Sequence, residues 1–325
     1  MDEVLGFEAD GEGEHLLLKV EKRGANTLWV ARELARYAGV APREVSYAGI
    51  KDRHALAVQH FSLWLGKRVQ PDWAALEHAE FRVLSVARHR RKLRIGSLKG
   101  NRFRLILRNL SVPAAELGSR LAIIREQGVP NYFGPQRFGH DGANIESAAR
   151  MFANPRSVRD RKLRGLLLSS ARSLIFNAVL SQRVLDHSWN VVMPGEVCML
   201  DGTHSVFHAG TVDGALTARC SAGDVHPTGP LWGRGDGRVS GEVQTLETDV
   251  VSQYKTFAHG LEAAGLESAR RALRLPVRDL SWETVDERTL KLEFFLPAGA
   301  YATTVVHELL EAYAATGGDG DANTD

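Results

Sequence analysis

The spacing of apolar positions changes repeatedly along the chain, and each change marks an element. His15 to Glu21 is apolar enough for a strand. Leu28, Val30, Ala31, Leu34 and Ala35 recur at helical spacing, with Asn26 or Thr27 as cap and Gly39 and Pro42 as the stop. Val45 to Ala48 is a short strand. In Ala55 to Leu65, Phe61, Leu63 and Leu65 share one parity, as in a strand with one buried face. Asp72 is placed to cap a short helix near Trp73 to His78. After a basic stretch the alternation resumes, with Phe103, Leu105 and Leu107 on one side and Arg102, Arg104 and Arg108 on the other.

Ser111 stands before a helix through Leu117, Leu121 and Ile124 that Gly128 closes. Asn144 to Ala153 and Leu163 to Leu185 read as helices, the second a core helix by Leu167, Ala171, Leu174 and Ala178. From Trp189 to about Glu247 the pattern breaks into short apolar pieces. Within it Ala222 to Gly241, rich in glycine and proline, reads as a loop. Its Gly233 to Gly237 run lacks the strand-to-helix setting of a phosphate loop. Asp249 to Ala264 and Leu266 to Leu275 look helical, Leu290 to Leu296 alternates as a strand, and Thr303 or Thr304 caps a last helix ending near Ala315. The small, acidic tail from Gly317 is expected to be disordered. A chain of 325 residues favours two domains over one.

Net charge is +2, so bulk charge says little about partners. Cys198 and Cys220 have no CxxC spacing, which suggests a reducing cytoplasm and gives no disulfide framework. With His204 and His208 they match no zinc pattern, so no metal is expected. No apolar run is judged long enough to span a bilayer, and the acidic start lacks the basic and apolar regions of a signal peptide. A cytoplasmic protein without a membrane partner is the expectation.

The distribution of charge says more. Arg88, Arg90, Arg91, Lys92, Arg94, Lys99, Arg102 and Arg104 fall in seventeen residues that hold no acid. Such a run is either a solvated basic face or, with its turn at Lys99-Gly100-Asn101 and the arginine-bearing strand that follows, a seat for a phosphate backbone. Val129 to Gly139 packs Tyr132, Phe133, Phe138, Asn131 and Arg137 into an ordered loop. That loop either stacks bases and binds phosphates or tucks its aromatics over the core. Gly49-Ile50-Lys51-Asp52 lies between two strands, where a carboxylate either shapes a turn or reacts. Tyr301 follows a strand-to-helix turn, where a plain surface aromatic is the ordinary reading.

Several stretches in order resemble one family. They are Asp10-Gly11-Glu12-Gly13-Glu14-His15 with Lys22 to Thr27, Ala48-Gly49-Ile50-Lys51-Asp52-Arg53-His54-Ala55, and Ala87-Arg88-His89 with Arg91-Lys92-Leu93 and Leu98-Lys99-Gly100-Asn101. Then come Pro130 to Gly139, Leu168 to Ser173 with Phe176-Asn177, and Leu296-Pro297-Ala298-Gly299 with Tyr301-Ala302-Thr303. Together, from near residue 7 to near residue 311, they are similar to the TruD family of tRNA pseudouridine synthases.

The resemblance implies an α+β chain: a pseudouridine-synthase fold with a mixed, mostly antiparallel sheet, interrupted by a second α/β insertion domain. The catalytic domain would comprise residues 1–126 and 271–325, and the insertion 127–270. It implies isomerisation of uridine-13 in tRNA to pseudouridine, by a monomer with no cofactor and no metal. Asp52 would be the catalytic carboxylate, attacking C1′ or taking the C2′ proton. Asn101 would hydrogen-bond the uracil edge, Phe103 would line the site unless it is core, and Tyr301, where many relatives have Phe, would stack on the base. Arg88, Arg90, Arg91, Lys92, Arg94, Lys99, Asn131 and Arg137 would grip RNA. Family members usually begin with a further stretch that holds a lysine near the catalytic aspartate. This sequence starts just after it, so the expected alternative is a catalytically weak tRNA-binding protein. A small-molecule enzyme using Asp52 leaves the basic run unexplained.

Overall fold

The computed structural model describes residues 1–66 and 68–316, with residues 311–316 described in backbone only. The tail from Gly317 lies outside the described residues. In chain order the elements are β1 (Asp2–Leu5), β2 (His15–Lys22), α1 (Thr27–Tyr37), β3 (Val45–Tyr47), β4 (Ala57–Trp64), β5 (Phe81–His89), β6 (Leu98–Leu107), α2 (Gly118–Gln127), β7 (Val129–Pro130), α3 (Ala143–Ala153) and α4 (Arg161–Leu185). There follow β8 (Val197–Leu200), β9 (Val206–His208), α5 (Gly214–Ser221), β10 (Val225–Leu231), α6 (Gly241–Ser252), α7 (Lys255–Ala263), β11 (Ala269–Ala272), β12 (Arg274–Leu275), β13 (Arg278–Asp286), β14 (Thr289–Pro297) and α8 (Ala302–Thr316). The fold is α+β. It divides into two compact units, residues 1–114 with 278–299, and residues 115–277 with the chain from 300 onward.

The first unit is built on an eight-stranded sheet in the order β13-β14-β6-β1-β4-β2-β5, with β3 on β4. Its ladders are antiparallel except that of β1 with β4. Alternation decides its two faces. Leu16, Leu18 and Val20 of β2 and Phe61 and Leu63 of β4 are fully buried on one side, where Val30, Leu34 and Ala35 of α1 cover them. Leu17, Ala48 and Leu93 close a smaller cluster on the other side. Gly100 lets β6 lie against β14, because a methyl group there would overlap the Leu296 carbonyl and the Phe295 ring.

The second unit centres on α4, capped by Asp160, whose carboxylate accepts from Lys162 N at 2.7 Å. α4 is long and apolar enough, by length and composition, to cross a membrane, which corrects the expectation that no such run exists. It is the core helix of this unit, with Leu167, Ala171, Ile175, Phe176, Val179 and Leu180 buried. The buried stripe is wider than the Leu167–Ala171–Leu174–Ala178 row, because α3, α6, α7 and β10 all pack on α4. A four-stranded sheet runs β11-β10-β8-β9, and β7 pairs with β12.

Two segments depart from expectation here. Ala222 to Gly241 contains β10, a buried strand despite Pro227 and Pro230. β8 flanks only Val225–Pro227 and β11 only Thr228–Leu231, so neither proline has to serve two ladders. Gly229 is required where the strand meets Phe176 and Leu273. Leu266 to Leu275 is not a helix but β11 and β12. Its pairing with β10 and the Arg270–Glu247 contact, at 2.6 and 2.8 Å, outweigh helix propensity. Smaller differences follow the same logic. Asp72 caps a single tight turn, Trp73–Ala75, and Ser111 caps nothing, since α2 begins at Gly118.

Candidate active site

Asp52 lies on the connection from β3 to β4. Its Oδ1 accepts the backbone N–H of His54 at 2.9 Å, so the carboxylate does shape a turn. Asp52 is exposed, and among the described residues its Oδ2 makes no hydrogen bond or ion pair. Turn-shaping and reactivity are therefore compatible readings of one side chain.

What holds this turn is a set of buried polar groups. Gln59 Nε2 donates to the Gly49 carbonyl at 2.6 Å. Thr27 Oγ1 donates to Gln59 Oε1 at 3.0 Å and accepts the Lys51 N–H at 3.0 Å. Lys22 Nζ donates to the carbonyls of Asp52, at 2.7 Å, and Ala25, at 2.9 Å. Lys22, Thr27 and Gln59 are all buried. Burial holds the Lys22 ammonium below its usual pKa, with Asp52 pulling the other way and Lys51 adding to the fall. Thr27 thus belongs to this set rather than capping α1, and Asn26, at the cap position, makes no side-chain cap bond.

Lys51 turns inward. Its Nζ lies 3.0 Å from Glu3 Oε1 and donates to Asn101 Oδ1 at 2.7 Å. Glu3 and Asn101 face each other across β1 and β6. Glu3 also accepts the His60 N–H at 2.8 Å. Burial opposes its charge, yet the His60 and Lys51 contacts together hold the Glu3 carboxyl below the ordinary value. Because the Asn101 oxygen accepts from Lys51, its amide nitrogen is left as a donor with no acceptor among the described residues. Phe103, two residues along β6, is half-buried and stacks on Phe294 at 5.6 Å. It is both a core contact and partly open.

The basic run is docked beside this turn. Gly96 N–H donates to the Ala48 carbonyl at 2.7 Å, and Ser46 Oγ to the Leu93 carbonyl at 2.8 Å. Its cations are not equivalent. Arg90 pairs with Glu12, Lys92 donates to the Arg43 carbonyl at 2.9 Å, and half-buried Arg88 reaches the Gly13 carbonyl at 3.3 Å. Arg102 and Arg104, on the strand that follows, meet Asp279 at 2.8 Å and Asp2 at 3.4 Å. Arg91, Arg94 and Lys99 are exposed, and among the described residues their side chains make no ion pair, though Arg91 lies near enough to Asp10 to favour its charge.

Three expected residues belong to the second unit. Asn131 is buried and both ends of its amide are engaged, donating to the Ala272 carbonyl at 2.8 Å and accepting from Arg271 at 2.6 Å, so it holds the loop. Arg137 donates to Ser169 Oγ at 3.1 Å and to Tyr301 Oη at 3.3 Å. Phe133 packs edge-on against Phe176, which seats the aromatic loop on α4. Cys198 and Cys220 lie in an apolar cluster, and burial pushes the Cys198 thiol up to about 12. Among the described residues no group of His, Cys, Asp and Glu is gathered to hold a metal ion.

Lys22, Gln59 and Glu3 were not singled out from the sequence. A signal for the first two was present. Lys22 shares parity with Leu16, Leu18 and Val20, and Gln59 with Phe61 and Leu63, so both fall on the buried face of their strands.

The family model for tRNA pseudouridine synthase D (TruD) matches residues 1–152 and 152–309. A tRNA pseudouridine synthase D of Methylococcus capsulatus is 50% identical over 311 residues, covering 96% of this chain and 88% of that protein. One of Nitrosococcus oceani is 49% identical over 317 residues, with 97% and 88% covered. A solved TruD chain from Methanosarcina mazei superposes with a TM-score of 0.72 at 21% identity, covering 95% of this chain and 91% of that one. At that identity the likeness concerns the fold, which is that of a pseudouridine synthase.

Proposed function

The chain belongs to the TruD family of tRNA pseudouridine synthases, and from that premise we propose that it isomerises uridine-13 of tRNA to pseudouridine with Asp52 as the reacting carboxylate. The observation that carries the reading is the Asp52 turn. Its backbone is fixed by Lys22, Thr27 and Gln59, while among the described residues Oδ2 makes no hydrogen bond or ion pair. Preorganisation of this kind lets a reacting group act without moving its surroundings.

In the reaction the N1–C1′ bond breaks, the uracil turns, and C5 bonds to C1′; C5 loses a proton and N1 gains one. By either route open to it, attack at C1′ or removal of the C2′ proton, the carboxylate of Asp52 acts on the ribose. The Asn101 amide N–H, oriented by Lys51, suits a uracil carbonyl. Phe103 would offer the half-exposed ring that lines the base. Extracting a base from its stack costs a few kcal/mol, and an aromatic platform returns about 1–3 kcal/mol. That role is assigned to Tyr301 from its place after Leu296-Pro297-Ala298-Gly299. Arg91, Arg94 and Lys99 are the cations best placed to meet phosphates. Residues 127–270 are taken as the family's insertion, and the protein as a cytoplasmic monomer. The chemistry draws on no cofactor and no metal.

The test is tritium release from tRNA labelled at uracil C5, compared with the same tRNA carrying cytidine at position 13. Release from the first and not from the second is expected. Release from both would refute the position, and tRNA binding with no release would favour a binding protein.

A further inference from the structure

Among the buried or half-buried arginines of the second unit, most have a carboxylate partner or three or more hydrogen-bond acceptors. Arg183 meets Glu196 at 2.9 Å, Arg270 meets Glu247 at 2.6 Å, and Arg274 lies against His226 and two backbone carbonyls. Arg137 and Arg271 are different. Their guanidinium carbons lie 5.5 and 4.2 Å from the centroid of the same ring, Phe133, and among the described residues neither meets a carboxylate. Arg271 donates one hydrogen bond, to Asn131, and Arg137 donates two, to Ser169 and Tyr301, from five N–H groups each. The Nε of each is buried and meets no acceptor.

Two like charges beside one ring, short of acceptors, are an unfavourable arrangement for the unliganded protein. Burial brings Arg271 down to about 10, eased by Tyr301 and worsened by Arg137. The cation–π contacts offset part of this, but they leave the N–H groups unmet. One oxyanion would supply both the missing charge and the missing acceptors, and guanidinium groups match phosphate oxygens in geometry.

We propose that Arg137 and Arg271, set around Phe133, form an oxyanion site that takes a phosphodiester of bound RNA. The identification of the anion as RNA backbone rests on the function proposed above, while the site itself rests on the two guanidiniums. Asn131 holds Arg271 in place, and Ser169 and the Tyr301 hydroxyl hold Arg137.

The test uses the whole chain and two probes. Inorganic phosphate should raise the thermal midpoint of the wild type beyond the effect of chloride at equal ionic strength. Arg271→Gln should lose that increment. Arg271→Gln removes an unpaired buried charge, so the variant is expected to fold, and Arg137→Gln serves as the second variant with the same expected loss. For tRNA, the slope of log affinity against log salt should become shallower by about one in either variant. A phosphate increment that is absent in the wild type, or unchanged in both variants, overturns the site. An increment that depends on Arg271 with an unchanged tRNA slope overturns the RNA assignment in favour of a free-phosphate site. Neither readout needs turnover, so loss of the isomerase reading and loss of this site would be told apart.

Discussion

The ammonium of Lys51 lies 3.0 Å from the Glu3 carboxylate, with side-chain exposures of 6% and 0%. Together they tie the residue before Asp52 to β1 and, through Asn101, to β6. Removing one member of a buried pair leaves the other uncompensated, at a cost of about 3–5 kcal/mol. Lys51→Met is therefore expected to destabilise the first unit by about that much in urea unfolding. Adding Glu3→Gln to it should restore part of the loss. A Lys51→Met loss below about 1 kcal/mol would show that the pair matters little.

The same pair sets a pH dependence. The folded pKa of Glu3 is lowered, by its His60 and Lys51 contacts acting against burial. In the window between its folded value and the ordinary glutamate value of 4.5, the unfolded chain binds more protons than the folded one. Its contribution is therefore complete above that window and is lost as pH falls through the folded value. The difference in unfolding free energy between wild type and Glu3→Gln should shrink on acidification from neutral pH. A difference constant with pH would mean that the charge of Glu3 is not what stabilises.

Asp52→Asn keeps an oxygen for the His54 N–H and so keeps the turn. Turnover should fall by more than roughly a thousand-fold, the scale seen when a reacting side chain is removed, with tRNA affinity changed only a few fold. Tritium release and filter binding read the two effects separately. Residual turnover near wild type would remove Asp52 from the chemistry.

Much of the first unit was legible because its strands alternate. The pattern at Phe61, Leu63 and Leu65 gave β4, and Phe103, Leu105 and Leu107 gave β6 with the parity the structure has. The strands that went unrecognised, β1, β5 and β13, carry charged or mixed residues near sheet edges or in short pieces, where period 2 is weak. In the second unit β10 was hidden by Pro227, Gly229 and Pro230, whose tolerance depends on which neighbour each faces. The Asp52 turn could be picked out from sequence. The partners of Lys51 could not, because Glu3 and Asn101 meet it only through a ladder between β1 and β6, 98 residues apart at Glu3↔Asn101.

The basic run should divide by partner rather than by residue type. Arg90 is already paired with Glu12, whereas Arg91, Arg94 and Lys99 make no ion pair among the described residues. Neutralising Arg91, Arg94 or Lys99 should each make the salt dependence of tRNA binding shallower by about one in log–log slope. Arg90→Ala should change it less. Equal effects at all four positions would mean that the Arg90–Glu12 pair opens when RNA binds.

The last prediction concerns the ion pair of Arg183, on α4, with Glu196, just before β8. The two lie 2.9 Å apart with side-chain exposures of 1% and 0%, and Arg183 also donates to the Ser188 carbonyl at 2.7 Å and the Val191 carbonyl at 3.0 Å. Burial pushes the Glu196 carboxyl above its ordinary pKa, against the pull of Arg183. A folded value raised in this way means that the folded state holds a proton the unfolded chain has released. Stability then falls as pH rises through the folded value. Arg183→Met removes the charge that most strongly opposes that rise, ahead of Arg270, so it should cost about 3–5 kcal/mol at neutral pH. The deficit against wild type should shrink on acidification, as Glu196 takes up its proton. Arg183→Met with Glu196→Leu should recover most of the loss, since an apolar pair of similar volume is often as stable as a buried ion pair. Urea unfolding at several pH values checks this, and a deficit that stays the same at low and neutral pH would place the cost in the lost hydrogen bonds to Ser188 and Val191 instead of in the bare carboxylate.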